Sequence, residues 1–225
     1  MQESKPKFLL SDANSLRRIK FAQFRRQVPS LILLALAIVL QNIFGSTDLG
    51  NLPLILAVAA VAWYLLIGFS HRFRQRIALP PPLALVSPIQ GKVRFIRSNG
   101  DITMVNIRKI LLDGVEIRCP HRNCLLEDGA LILPSPAGKV AFRFNFKSLQ
   151  WFADAEFATG AIIGMAYGTG SCTISFPGEP SLQITESSAL DAGDTIIRIF
   201  DPEASEQPPV VEPALLLSED SEDES

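Results

Sequence analysis

The sequence predicts an N-terminal transmembrane α-helical hairpin followed by a mainly β domain, built as a compact sandwich or barrel. Two long apolar runs, Val28–Phe44 and Leu52–Phe69, contain no charged residue. Many short segments follow, with partial period-two alternation or β-branched residues, and glycines separate them. The chain ends in a proline-rich and acidic segment. We therefore expect a basic amphipathic segment at 1–27, the hairpin at 28–69, a basic and proline-rich linker at 70–82, the β domain at 83–200 and a disordered acidic tail at 201–225.

The amino-terminal segment combines apolar residues at helical spacing with arginines. Leu16, Ile19 and Phe24 recur at intervals that place them on related faces of a helix. We expect a helix from about residue 12 or 14 to residue 27, lying on the membrane surface and leading into the hairpin. The alternative is a basic flank without a fixed structure.

The two apolar runs have the length that a membrane requires. Each run is about 17 or 18 residues long and spans roughly 26 Å as a helix, close to the ~30 Å hydrocarbon core of a bilayer. Two such runs in tandem, without a charge, favour a membrane-embedded hairpin over a buried helical hairpin of a soluble protein.

The charges that flank the hairpin predict its orientation. Seven basic residues precede the first run, and His71 and three arginines follow the second. The turn between the runs, Gly45–Asn51, carries only Asp48. The positive-inside rule then places both termini in the cytoplasm, and we expect a multi-pass protein of the cell (cytoplasmic) membrane.

Composition restricts the partners. The net charge is only −2 because the basic residues near the membrane segments nearly balance the acidic residues, which are concentrated at the carboxyl end. Basic membrane flanks indicate anionic phospholipid headgroups and not nucleic acid. Because the chain has three cysteines and the β domain is predicted to be cytoplasmic, we expect no structural disulfide.

Within the predicted β domain, one segment resembles a helix. Lys147–Ala158 is the one candidate helix that we expect there. Before the domain, Pro80–Pro82 forbid a helix and favour an extended polyproline arm. The domain boundary is therefore predicted at these prolines.

A short cysteine–histidine segment is the candidate metal site. Cys119, His121 and Cys124 have ligating side chains, but structural zinc sites usually use four ligands from paired motifs. The sequence offers no second pair, so we expect a plain turn and no metal. The glycine-rich GMAYGTGS at Gly164–Ser171 lacks the lysine of a phosphate-binding loop.

Four segments, in order, resemble the short phosphatidylserine decarboxylases. SPIQGKV at Ser87–Val93 is similar to that family's SPADGKV, and it follows two membrane helices and an arginine- and proline-rich connector. IRKILLDGVEIRCP at Ile107–Pro120 resembles IFMSPLDVHVNRAP, with agreement at Ile107, Leu112, Asp113, Arg118 and Pro120. IIGMAYGTGSCTISFP at Ile162–Pro177 resembles RIGMIRFGSRVDVYLP, and Leu190–Phe200 resembles the closing glycine turn and strand. The resemblance implies that Ile107–Pro120 and Ile162–Pro177 lie close in space.

The resemblance also implies a reaction. Enzymes of this family cleave their own precursor at a Gly-Ser bond, and the serine becomes a pyruvoyl group. The pyruvoyl ketone forms a Schiff base with the substrate amine and acts as an electron sink for loss of the carboxylate. This chemistry requires a serine on a strained turn and acid–base groups beside it.

The sequence departs from the family at the reactive positions. Gln90 replaces the aspartate of the first motif, and Val115 aligns with the histidine of the second. Ungapped alignment places Thr169 and Gly170 where Gly and Ser are expected, and a shift of one residue gives Gly170-Ser171. His71 is interpreted as a charge of the membrane flank, which leaves His121 as the one plausible base.

Two functions are carried forward. The first is a non-catalytic binding or scaffold module at the cytoplasmic membrane face, with no cofactor. The alternative is an active, self-processing phosphatidylserine decarboxylase that forms phosphatidylethanolamine, with Ser171, Gly170 and His121 as catalytic residues and a pyruvoyl group derived from Ser171. The expected partners are the phospholipid membrane and a protein bound through the β domain or the acidic tail.

Overall fold

A computed structural model describes residues 8–44, 51–135, 137–198 and 200 of the chain. Two apolar helices, α1 (Ala13–Phe44) and α2 (Asn51–Ser70), precede a mostly β domain, as predicted. Both are long and apolar enough to cross a membrane, and only 17% and 11% of their apolar windows are buried. A core helix of a soluble protein would be mostly buried, so this exposure favours the membrane hairpin. The predicted disordered tail and most of the hairpin turn lie outside the described residues.

The first helix is longer than the apolar run. The predicted amphipathic helix and the first apolar run form one continuous element, α1. Ile19 is fully buried in an apolar cluster with β-domain residues that include Val115 and Met165. The Ile19 face of this segment thus packs against the β domain, and Phe21 and Phe24 remain exposed, so its position on the membrane surface stays a prediction.

The β domain is antiparallel throughout. The strands are β1 (Phe8–Leu10), β2 (Arg76–Ala78), β3 (Leu85–Val86), β4 (Gly91–Ser98), β5 (Ile102–Lys109), β6 (Glu116–Arg118), β7 (Leu125–Glu127), β8 (Ala130–Ser135), β9 (Gly138–Trp151), β10 (Ile162–Pro177), β11 (Ala189–Leu190) and β12 (Thr195–Ile197). The main sheet has the order β11-β4-β5-β10-β9-β8-β7, β6 also pairs with β10, and β1–β2 and β3–β12 form separate pairs. Within the described ranges, the path of paired strands ends at β11 and β7 and does not close on itself.

The long strand β10 organises the sheet. Its first half pairs with β6, so that Met165 is opposite Glu116, and its second half pairs with β5, so that Cys172 is opposite Ile107. The expected proximity of the segments Ile107–Pro120 and Ile162–Pro177 is thus confirmed. In the second half of β10, the alternate residues Cys172, Ile174 and Phe176 bury their side chains in one core with β8 and β9, as the period of a strand requires.

The predicted helix at Lys147–Ala158 is wrong. The residues up to Trp151 extend β9, where Ser148 is opposite Tyr167 and Trp151 is opposite Gly164 of β10. The remaining residues form a turn and irregular backbone. Pairing with a long neighbouring strand overrides the weak local preference that the sequence suggested.

The segment expected to be an extended linker contributes to the domain. Its strand β2 pairs with β1, where Ile77 is opposite Leu9, and Ile77 is buried. The Val115 amide donates a hydrogen bond to the Arg72 carbonyl at 2.8 Å. The chain between α2 and the prolines is therefore attached to the β domain along its length.

Candidate functional site

A cavity of about 630 Å³ lies where the two helices meet the β domain. Its lining includes charged, aromatic and hydroxyl groups from five elements of the chain: Arg25, Arg26, Trp63, His71, Ser148 and Tyr167. The uncharged run of α1 begins two residues after Arg26, at Val28. The cavity is therefore at the end of the hairpin from which the basic residues extend.

Arg26 is held against the β domain. Its guanidinium carbon is 3.8 Å from the centroid of the Tyr167 ring, and its Nη2 donates to the Ser148 hydroxyl at 3.3 Å. A cation over an aromatic face is stabilised by the ring quadrupole. Burial raises the pKa of Tyr167 to about 12, against the opposing effect of Arg26, so the phenol is neutral. Arg25 lines the same cavity with its side chain exposed.

His71 is buried at the cavity wall and is not the flank charge that the sequence suggested. It is 3% exposed, and its ring centroid is 4.8 Å from that of Tyr167. Burial lowers its pKa, and the charges of Arg26 and Lys109 lower it further, although the Ile67 hydrogen bond opposes them. The ring is therefore neutral at pH 7, and the flank beyond α2 owes its positive charge to the arginines that follow.

The hydrogen bonds of His71 assign its tautomer. Nδ1 lies 2.8 Å from the Ile67 carbonyl oxygen, which can only accept, so Nδ1 carries the proton. The neutral ring then presents Nε2 as an acceptor, and Nε2 is buried with no partner in the described part of the chain. A buried acceptor without a donor is unfavourable, since most buried polar atoms in proteins are hydrogen-bonded.

The three candidate catalytic residues are not brought together. Gly170 and Ser171 lie in the second half of β10, opposite Lys109 and Arg108 of β5. His121 follows β6, where the next residue, Arg122, donates its amide hydrogen to the Thr159 hydroxyl. Thr159 precedes Ile162, the first residue of β10, and the nine residue-to-residue steps from Ile162 to Ser171 span up to about 30 Å of extended strand. Over the described ranges, no histidine or carboxylate is hydrogen-bonded to the Ser171 hydroxyl.

His121 is buried in the domain and packs against its neighbours. It is fully buried, its Nδ1 accepts a hydrogen bond from the Asn123 amide at 3.3 Å, and its ring packs edge-on against Phe200. The nearby Cys119 thiol donates to the His121 carbonyl oxygen at 3.1 Å. In the residues that the structure covers, no group of three or more histidine, cysteine or carboxylate side chains could hold a metal ion.

Gln90 and Val115, which the resemblance aligned with an aspartate and a histidine, lie near each other in the fold. The Gln90 side-chain oxygen accepts the Gly114 amide, beside Val115, and its amide nitrogen donates to Asp191 at 2.8 Å. Val115 is fully buried. The fold thus brings the first motif next to the second, with an amide and an aliphatic side chain at the two aligned positions. Asp191, which the sequence did not single out, is also paired with Arg74.

Lys109 was not anticipated as part of this region. It is 1% exposed, and its Nζ donates to three carbonyl oxygens: Ile110 at 3.2 Å, Asp113 at 3.1 Å and Gly168 at 3.2 Å. Burial lowers its pKa, and the charges of Asp113 and Glu116 oppose this. Lys109 therefore ties the turn after β5 to the bulge that interrupts β10 between Tyr167 and Gly170.

A buried ion pair joins the connector to the sheet. Glu116 and Arg118, 2% and 0% exposed, lie 4.0 Å apart on β6. Glu116 accepts the Arg74 amide at 3.0 Å, and Arg118 donates to the Arg74 carbonyl at 2.6 Å. Burial raises the pKa of Glu116, and its two hydrogen bonds and Arg118 oppose the shift. This pair holds the backbone that follows α2.

Comparisons with known proteins found no match: no protein-family model, no curated protein and no solved structure is similar to this chain. The interpretation of the site therefore depends on its own geometry.

Proposed function

We propose that this chain is a membrane-anchored, phosphatidylserine decarboxylase-like protein that no longer catalyses, and that it binds phospholipid headgroups at the cytoplasmic face. The observation that carries the proposal is the cavity lined by Arg25, Arg26 and His71 at the base of the apolar hairpin. Both termini are cytoplasmic, because the basic residues flank the hairpin on its outer sides.

The chemistry of the cavity matches a phospholipid headgroup. Arginine recognises phosphate oxygens through charge-assisted hydrogen bonds, and Arg25 is exposed and available for this contact. Arg26 is already positioned by Tyr167 and Ser148, so it loses little side-chain freedom on binding. His71, at the wall of the same cavity, is neutral and so adds no charge to that of the two arginines.

The absence of catalysis is supported by the reactive positions. The positions that align with the family's aspartate and histidine are occupied by Gln90 and Val115, and neither side chain takes a proton at neutral pH. Ser171 lies in the second half of β10, whereas His121 follows β6, which pairs with the first residues of that strand. General acid–base groups typically contribute 10²–10⁴-fold each, so their loss removes most of the self-cleavage rate.

One observation favours the active alternative. The dipeptide Gly170-Ser171 directly follows the bulge of β10, and Gly168 within that bulge has a φ of 76°. A kinked backbone before a serine is what self-cleavage requires. The alternative predicts two chains, with the N-terminal chain ending at Gly170, and mass measurement distinguishes it from the proposal.

Lipid binding is tested with the full chain in nanodiscs of phosphatidylcholine that contain a small fraction of phosphatidylglycerol. We expect enrichment of the anionic lipid around the protein, measured by native mass spectrometry. Arg25→Gln with Arg26→Gln should reduce it, because each charge-assisted hydrogen bond contributes about 1.5–3 kcal/mol, or about 10- to 100-fold in affinity. The control is Arg17→Gln with Arg94→Gln, which removes the same charge at exposed positions outside the cavity.

Two further arms complete the experiment. Excess inorganic phosphate is added in the second arm. A site for free phosphate would bind it and lose the lipid enrichment, whereas a lipid site would keep the enrichment. Equal lipid enrichment in the cavity and control variants would refute the proposal, since the effect would then come from net charge alone.

A further inference from the structure

The turn between β5 and β6 exposes three consecutive large apolar side chains. Ile110, Leu111 and Leu112 are 51%, 38% and 51% exposed. A run of exposed apolar residues is unfavourable on a surface that faces only water, and it usually marks an interaction site. The cavity described above does not include this turn.

Hydrogen bonds fix the backbone of this turn, so its three apolar side chains are held at the surface. The Ile110 amide donates to the Asp113 carboxylate at 2.7 Å, and the Asp113 amide donates back to the Ile110 carbonyl at 3.2 Å. The Lys109 ammonium binds the carbonyls of both residues. These bonds fix the backbone while the three apolar side chains remain outside the core.

The contacts of α1 place this turn at the base of the hairpin. The Ser15 hydroxyl contacts the Ile162 carbonyl at 3.4 Å, and further along both elements the Arg26 guanidinium covers Tyr167. The helix therefore follows β10 toward its apolar run, which begins at Val28. Gly168, the residue after Tyr167, accepts the hydrogen bond from Lys109. The turn thus lies at the level where α1 becomes uncharged.

Basic residues accompany the apolar turn. Lys92 and Arg108 are opposite each other on β4 and β5, and both are exposed. They line a shallow cavity together with Ile110. Apolar side chains flanked by lysine or arginine are typical of surfaces that lie in the interface of an anionic membrane.

We propose that the turn Ile110–Leu112 inserts into the cytoplasmic leaflet of the membrane that the hairpin spans, with Lys92 and Arg108 at the headgroups. The occupant is lipid, because the turn continues the surface of the apolar hairpin at the same level. This contact is a third point of membrane attachment, beside α1 and α2. It requires the hairpin in the membrane, but it does not depend on headgroup binding in the cavity.

The test is an immersion-depth measurement on the full chain in nanodiscs. A nitroxide on Leu111→Cys is compared with one on Asp101→Cys, at the other end of β5. The native cysteines are buried, with 0%, 2% and 0% exposure, so labelling is selective and can be verified by mass. Collisions with oxygen, which concentrates in lipid, are measured against collisions with a water-soluble nickel chelate. We expect a several-fold higher ratio of oxygen to nickel collisions at position 111 than at position 101.

Each other outcome overturns the proposal. Equal ratios at the two positions mean that the turn lies in water. Shielding of position 111 from both collision partners means that protein covers it, and spin–spin broadening would identify a second copy of this chain. Labels on Ile110→Cys and Leu112→Cys repeat the measurement, so one poorly folded variant does not decide the result. If position 111 lies in lipid but the protein shows no enrichment of anionic lipid, this inference stands and the proposed headgroup binding fails.

Discussion

The Arg118 guanidinium donates a hydrogen bond to the main-chain carbonyl of Arg74 at 2.6 Å. Arg118 is fully buried in the sheet, whereas Arg74 lies four residues beyond the end of α2. The same arginine donates to the Gly160 carbonyl at 2.8 Å. A single buried cation thus connects the chain that leaves the hairpin with the turn before β10, and it fixes the β domain relative to α2.

Replacement of Arg118 should destabilise the β domain strongly. Arg118→Met leaves the buried Glu116 without its cation and two carbonyl oxygens without a donor, which we expect to cost about 3–5 kcal/mol in the free energy of unfolding. The measurement is denaturant unfolding of the protein in detergent, monitored by near-ultraviolet circular dichroism. Arg122→Met, an exposed neighbour, is the control and should change stability by less than about 0.5 kcal/mol. A similar small effect for both variants would contradict the anchoring role.

Acidification should destabilise the protein through His71. Burial lowers the folded-state pKa of His71, so below about 6.5 the unfolded state binds a proton that the folded state rejects. Stability is then lost as the pH falls, by up to about 1.4 kcal/mol per pH unit for this group.

Two other buried groups affect the same pH range. The pKa of His121 is also lowered by burial and acts in the same direction, whereas the raised pKa of Glu116 acts in the opposite one. The informative quantity is therefore the difference between the protein and His71→Asn, whose amide can still donate to Ile67. Thermal unfolding at pH 7.5, 6.5 and 5.5 should show a shallower pH slope for the variant. Parallel slopes would show that His71 does not titrate as described.

The protein should remain one uncleaved chain. The Ser171 hydroxyl has no histidine or carboxylate bonded to it in the part of the chain described, so no group takes its proton during attack on the preceding carbonyl. Intact mass measurement should give about the sequence mass of 24.6 kDa, and Ser171→Ala should behave like the unsubstituted protein. Detection of a second chain blocked by a pyruvoyl group would establish the active alternative.

Gly170 should tolerate substitution far less than its neighbour Ser171. A Cβ at position 170 would overlap the Phe146 ring and lie 2.5 Å from the Asn145 carbonyl oxygen of β9. Gly170→Ala should therefore destabilise the sheet by about 1–3 kcal/mol, as is typical of overpacking. Ser171→Ala is the matched control, and its unfolding midpoint should be nearly unchanged. Equal midpoints would mean that β9 and β10 are not as close as described.

The orientation of the hairpin can be tested with fusions. The basic residues lie outside both apolar runs, so a reporter after Phe200 should be cytoplasmic. A reporter inserted beside Asp48, in the turn between the runs, should behave as external. A periplasmic signal from the fusion after Phe200 would reverse the predicted orientation.

Local patterns were sufficient to predict the general architecture. The uncharged length of Val28–Phe44 and Leu52–Phe69 predicts two membrane-length helices, because every turn of such a helix must be apolar. Alternation in segments such as β5 predicts strands, because a strand buries every second side chain. The ordered motifs also predicted that Ile107–Pro120 and Ile162–Pro177 would be neighbours.

Properties that depend on distant partners were decided by the tertiary structure. Lys147–Trp151 is a strand because β10 lies beside it, and His71 is neutral because Tyr167 and the hairpin bury it. The sequence by itself determined a hairpin of two helices long and apolar enough to span a membrane, followed by a β domain, since composition and period are local properties. Only the tertiary structure decided that the Arg25–Arg26 cavity and the Ile110–Leu112 turn both lie at the base of that hairpin. The physical reason is that burial and proximity arise from contacts between residues far apart in the chain.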